Sequence, residues 1–290
     1  MLIYIKMSIV FGAIGYTILN NITNGKKMLI FADMHDHLEK CKDSVIISEW
    51  LKKKILNKFN KNISKSILIL EEVPRNKNSS LKLKELWSTS LHTQELKNLY
   101  IDNPNEVNAI DIRTYLIPFN LEIIKPNDND YKVKLKDYLI DIDNLFNKNF
   151  NELYNSLSND KKVKFSNSKL GKHFNLIKNN YNNLLSKYNN VMDKLVTDIM
   201  NTELMNDIEI LLSDIMEFNV CVYITKHINE RIIIHVGLAH SEKIIELLIN
   251  LYEYKKIKEV GINKLNELNY KSMSGCQQID NDIHNQFGGY

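Results

Sequence analysis

Five short apolar runs punctuate the chain: Ile9–Ile14, Met28–Ala32, Ser66–Leu70, Ala109–Ile112 and Arg231–Val236. Their length and β-branched content predict strands. The second, third and fifth are near-continuous apolar stretches, as expected of strands buried on both faces of a parallel sheet covered by helices. Between them the period changes to three and four. His37–Phe59 carries Val45, Ile46, Trp50, Leu51 and Ile55, and Leu81–Tyr100 carries Leu83, Leu86, Trp87, Leu91, Leu96 and Leu99. The N-terminal part therefore reads strand–helix–strand–helix–strand, a βαβ pattern with a right-handed crossover.

The middle of the chain changes character. Tyr131–Leu157 and Asn175–Met216 keep apolar residues at helical spacing over about a hundred residues with almost no strand signal. After Arg231–Val236 comes one more helix, Ser241–Leu251, and a tail from Ser272 that reads as irregular. The expected fold is α/β: a mostly parallel sheet core flanked by helices, with a large all-helical insertion. The expected divisions are 1–127 and 229–290 for the core and 128–228 for the insertion.

Composition narrows the class of protein. The chain has 290 residues, 44% hydrophobic and 25% charged, which excludes bulk disorder. Basic and acidic residues number 38 and 35, a net charge of +3, so no nucleic-acid footprint follows. The abundance of Asn, Lys and Ile fits an A/T-rich coding bias. Cys41, Cys221 and Cys276 form an odd set without a C-x-x-C pair, which predicts free thiols in a reducing compartment. The apolar stretch Met7–Leu19 is shorter than the ~20 residues a spanning helix needs and is not followed by a clean cleavage pattern. It predicts an edge strand or hairpin, and argues against a signal, an anchor or membrane association.

Candidate chemistry sits at strand ends, because ligands of open α/β sheets bind outside the carboxyl ends of the strands. One run ends Ala32-Asp33-Met34-His35-Asp36-His37, another Leu70-Glu71-Glu72, a third Asp111-Ile112-Arg113, and the last His235-Val236-Gly237-Leu238-Ala239-His240. On a shared rim, His35, Glu71 or Glu72, Arg113 and His240 would supply imidazoles, a carboxylate and a cation, the makeup of a hydrolytic site. Only one of Glu71 and Glu72 can face that site, since adjacent strand residues point oppositely. His235 reads as a core residue, and His92, His173, His227 and His284 read as surface.

These motifs resemble the TraB/TIKI and erythromycin-esterase/ChaN-like superfamily, whose members carry two G-x-x-H motifs with a Glu and an Arg between them. Gly237-Leu238-Ala239-His240 matches the second motif; Ala32-Asp33-Met34-His35 matches the first with Ala in place of Gly. The order Asp33-Met34-His35, Cys41, Glu71/Glu72, Asp111-Ile112-Arg113, Met192-Asp193 and Gly237–Ser241 is similar to proteins of large DNA viruses within or near this group. The resemblance implies a hydrolase of peptide, ester or amide bonds, acting on a small-molecule or peptide substrate in the host cytoplasm or virion. TIKI-like members imply a divalent ion (Mn, Co or Zn) held by His35, Glu71 and His240, erythromycin esterases a His acting on water, and ChaN-like members haem binding. A rival reading is a catalytically degenerate relative that binds a protein partner through its helical insertion. A further alternative takes Asp33, His35 and His37 as the D-x-H-x-H metal motif of amidohydrolase and PHP-type barrels, which needs eight strands.

Overall fold

The computed structural model describes residues 8–34, 38–55, 66–71, 91–112, 133–157, 168–199, 201–227, 230–270 and 273–287. By internal contacts the chain divides into two compact units. One comprises Met1–Pro74, Trp87–Ile110 and Tyr223–Tyr290; the other comprises Arg75–Leu86 and Asp111–Val222.

The first unit is α/β. Its strands and helices are β1 (Ser8–Phe11), β2 (Gly15–Asn21), β3 (Lys27–Asp33), β4 (Val45–Ile46), α1 (Ile47–Ile55), β5 (Ser66–Leu70), α2 (Leu91–Asp102) and β6 (Val107–Ala109). Four of them form most of a six-stranded sheet of order β6-β5-β7-β3-β2-β8, where β7 is Arg231–Gly237 and β8 is Tyr254–Gly261. The neighbours β6, β5, β7 and β3 are parallel, and β2 runs antiparallel to both β3 and β8. The sheet is open, so the eight-strand barrel of the amidohydrolase alternative is not the arrangement of the described strands. Between β7 and β8 lies α7 (Leu238–Leu251).

The late strand β7 fills the slot between β3 and β5, with Phe31 paired to His235 and Leu70 paired to His235 from the other side. This placement explains its composition. Ile232–Val236 is buried on both faces, which only a near-continuous apolar run tolerates. It also brings the carboxyl ends of three strands together although they are far apart in sequence.

Alternation divides the strand residues between two cores. Leu29, Phe31, Leu68, Leu70 and Ile233 join Ile47, Trp50, Leu51, Leu96 and Leu99 of α1 and α2. Within this core Phe31 meets the rings of Tyr16 and Trp50 edge-on, at 6.0 and 5.6 Å. The opposite face carries a smaller cluster of Ile14, Ala32 and Leu238, against which Met34, Leu38, Ile262, Leu268 and Met273 pack.

Several expectations need correction. The run Ile9–Ile14 is not one strand. The chain breaks at Gly12, whose φ of +109° few side-chain-bearing residues adopt, and separates β1 from β2. The strand expected at Ala109–Ile112 lies earlier, at Val107–Ala109. The tail is regular: β9 (Cys276–Ile279) pairs antiparallel with β1 in a small sheet of order β4-β1-β9, followed by α8 (Asn281–Gln286). That return places Cys276 beside Cys41, with Cα atoms 6.3 Å apart, and the two form a disulfide. Cys221 lies outside the disulfide and is buried. The expectation of three free thiols fails because a separation of 235 residues conceals adjacency in space.

The described part of the second unit is helical: α3 (Leu135–Asn155), α4 (Lys169–Lys187), the short α5 (Val196–Ile199) and most of α6 (Thr202–Lys226). The helical pattern over Asn175–Met216 is divided among α4, α5 and α6, with a turn at Asn189–Val191. α3 buries Leu135, Tyr138, Leu139, Ile142, Phe146 and Leu153, the three-and-four spacing of one apolar stripe. Phe174 stacks between Phe146 and Phe150 at 4.8 and 3.8 Å, and Phe218 closes the cluster edge-on to Phe146. Ser168 caps α4 by accepting from the Gly171 amide. Among the described residues no helix is long and apolar enough to cross a membrane.

Candidate functional site

The site grows from the carboxyl ends of β5, β7 and β3. Register pairs Asp33 with Gly237, and the Glu71 amide extends the β5–β7 ladder by donating to the His235 carbonyl at 3.2 Å. Glu71, Gly237 and Asp33 therefore succeed one another along one rim.

Their side chains diverge. Leu70 belongs to the α1/α2 core, so Glu71 turns to the opposite face, where α7 begins. There its Oε2 accepts from the Gly237 amide at 2.6 Å, and its Oε1 lies 3.8 Å from His240 Nε2. Gly237 is the N-cap residue of α7, so the carboxylate sits where the helix dipole favours negative charge. The Glu71 side chain is 7% exposed and that of His240 14%. The carboxylate is nearly sealed while the imidazole in the first turn of α7 retains a path to solvent.

Asp33 follows the other phase. Ala32 packs into the cluster with Leu238, so Asp33 turns toward the α1/α2 face. One of its carboxylate oxygens accepts from the Met34 amide at 2.7 Å; the other lies 2.9 Å from His92 Nε2. Both side chains are fully buried. His92 stands edge-on to Phe11 and against the backbone of Gly12. The expectation that His92 is a surface residue is overturned. Its helix carries a mixed face, and its partner lies far back in the chain.

His235 is the core residue expected, 0% exposed, donating from Nε2 to the Gly12 carbonyl at 2.9 Å. His173, expected at the surface, is buried against Phe218 on α4, and burial pushes its pKa down to about 4. His227 faces Glu230 at 2.8 Å. Asp193 is 86% exposed, beside Lys134 at 3.9 Å.

Of the residues expected at the site, the structure joins Glu71 to His240 and sends Asp33 to His92. His35, His37, Glu72 and Arg113 lie outside the described residues, as does any geometry they contribute. The divalent ion implied by the resemblance has no ligand set among the described residues: no group of three or more His, Cys, Asp and Glu side chains is placed to hold one. Asp33 and Glu71 are committed to different faces, so those two carboxylates do not share an ion.

No family model matches the chain, and no curated protein or solved structure matches it.

Proposed function

We propose that this protein is a hydrolase of peptide, ester or amide bonds, working at the carboxyl rim of β5 and β7 with His240 as the proton-transferring group and Glu71 behind it. The supporting observation is the Gly237–Glu71–His240 arrangement: a sealed carboxylate anchored by a helix-terminal amide at 2.6 Å and set 3.8 Å from a partly accessible imidazole. A buried carboxylate is costly unless paired and hydrogen-bonded. Here the Gly237 amide offsets that cost, and the same carboxylate faces the His240 imidazole at 3.8 Å.

His240 takes a proton from water as the water adds to the scissile carbonyl, and returns it to the leaving group. Glu71 acts through His240 and is a positioning residue. Arg113 is assigned to the oxyanion by resemblance alone.

One observation favours the degenerate reading. The acid of the first motif, Asp33, is fully buried and serves His92. A protein that kept the fold without the chemistry would retain that pair.

A panel of peptides, esters and amides, assayed with wild type, His240→Ala and Glu71→Gln, decides between them. The hydrolase reading expects turnover that falls about 10²–10⁴-fold in His240→Ala. Full turnover in that variant overturns it. Absence of turnover across the panel favours the non-catalytic relative, whose partner would be sought on the helical unit. Elemental mass spectrometry of the same samples tests the ion.

A further inference from the structure

Between the end of β3 and β4 the chain passes through Cys41, whose sulfur bonds that of Cys276 at the start of β9. The residue before Cys276, Gly275, lies against Leu38: an added Cβ would stand 2.6 Å from the leucine Cβ. The disulfide thus staples Leu38–Ser44 to a C-terminal strap, Met273–Cys276. Beneath the staple the packing is thin, with Met34, Leu38 and Met273 only partly buried against Ile14, Ala32 and Leu238. Beyond the β1–β9 ladder that begins at Cys276 and the Gly12–Gly275 hydrogen bond, so small a cluster adds little to hold the two segments once the covalent link is gone.

The strap is wired to the rim. The Gly275 carbonyl accepts from the Gly12 amide at 2.9 Å, and the Gly12 carbonyl accepts from His235 Nε2 at 2.9 Å. The His235 carbonyl in turn accepts the Glu71 amide. Gly12 also supports the His92 ring that holds Asp33.

The same bond is open to exchange. Cys41 and Cys276 are both partly exposed, and Cys41 sits among the exposed Glu39, Lys40, Lys42 and Asp43. Glu39 and Asp43 offset Lys40 and Lys42, so it is the partial exposure of both sulfurs that admits a reductant. The Cys41 amide points at Cys276 Sγ from 3.3 Å, placed to stabilise charge on that sulfur as it leaves. We propose that Cys41–Cys276 is a reversible thiol–disulfide switch, opened by a dithiol reductant, that sets the order of the rim around Glu71 and His240. As a control on turnover it rests on the hydrolase reading; as a structural switch it does not.

In the exchange, a thiolate of the dithiol attacks Cys41 Sγ. The Cys41–Cys276 bond breaks, and its electron pair leaves on Cys276 Sγ, which takes up a proton. The second thiol of the reductant resolves the mixed disulfide, freeing Cys41 as a thiol and leaving the reductant as its own disulfide. A reducing compartment opens the switch and an oxidising one closes it.

The test treats the native full chain with dithiothreitol without denaturant, alkylates with iodoacetamide, and maps adducts and amide exchange by mass spectrometry. Alkylation is expected at Cys41 and Cys276 but not at buried Cys221. Exchange of the Gly12, Ser44, Glu71 and Gly237 amides should rise at least about tenfold while Leu68–Leu70 and Ile232–Ile234 stay protected. Reoxidation should reverse both changes. The double variant Cys41→Ser/Cys276→Ser should match the reduced protein; reduced wild type carries the test if that variant does not fold. Cysteines that resist until denatured, or that open without a change in exchange at Glu71 and Gly237, overturn the proposal and leave a passive staple. With a substrate in hand, altered exchange but equal turnover in the two redox states overturns control of the site and leaves the hydrolase reading intact.

Discussion

Glu71 and Gly237 are joined by a 2.6 Å hydrogen bond from the glycine amide to the carboxylate, across the ends of neighbouring parallel strands. It ties three things together: the end of β5, the first turn of α7, and His240 three residues further on. A strand-end carboxylate here does for the N-cap amide what the N3 side chain of a capping box does elsewhere, from a distant part of the chain.

That bond separates a structural role from a chemical one. Glu71→Gln keeps an oxygen that can accept the Gly237 amide, so folding stability in urea should stay within about 1 kcal/mol of wild type, less the modest helix-dipole contribution. Glu71→Ala leaves the buried amide unsatisfied and should cost about 1.5–3 kcal/mol. If Glu71 only caps α7, Gln should also preserve any turnover found; if it positions His240, turnover should fall in Gln while the urea midpoint barely moves.

The Asp33–His92 pair answers to a double-mutant cycle. Both side chains are fully buried, so His92→Leu removes the ring nitrogen from a buried carboxylate and should cost about 3–5 kcal/mol. Asp33→Asn retains an acceptor for the Met34 amide. The Asp33→Asn/His92→Leu double variant should therefore be more stable than the summed single effects imply, by about 0.5–3 kcal/mol. Additive losses in thermal or urea unfolding would deny the pair any mutual stabilisation.

What could be read from the amino-acid sequence follows from which faces each element buries. β3, β5 and β7 were legible because strands buried on both faces are apolar throughout. β8 was not, because it is an edge strand whose exposed positions carry Lys255, Ile257 and Glu259, and charged edges read as loop. Glu71 and His240 stood out as polar residues where apolar runs stop. The face each takes depends on strand phase and on β7 entering between β3 and β5, which no local pattern encodes. His92 and the Cys41–Cys276 bond were hidden for the same reason: each is half of a contact whose other half lies far along the chain.

Two glycines with positive φ give a clean comparison. At Gly12, φ is +109° and an added Cβ would stand 2.8 Å from Ile47 Cγ2 and 2.9 Å from His92 Cβ. At Gly25, in the β2–β3 turn, φ is +68° and nothing lies within 4 Å. Gly25→Ala should cost only the left-handed backbone penalty, about 1–2 kcal/mol. Gly12→Ala adds the clash and should exceed it by more than about 1 kcal/mol, while shifting the His92 ring resonances in NMR spectra. Equal losses would mean that the Gly12 environment yields freely.

Stability of the helical unit should fall in mild acid. Burial beside Phe218 holds the His173 pKa near 4, against an ordinary value of 6.5. Between those values the unfolded chain carries a proton that the folded chain excludes, so unfolding takes up protons and stability drops with pH. The contribution is fully present above about pH 6.5 and is lost progressively toward pH 4, about 3 kcal/mol over the window. His173→Phe removes the titrating group from an aromatic surrounding that can accept a ring. Its urea midpoint should vary less than wild type's between pH 7 and pH 5. Parallel pH profiles for the two proteins would place the acid sensitivity on another group.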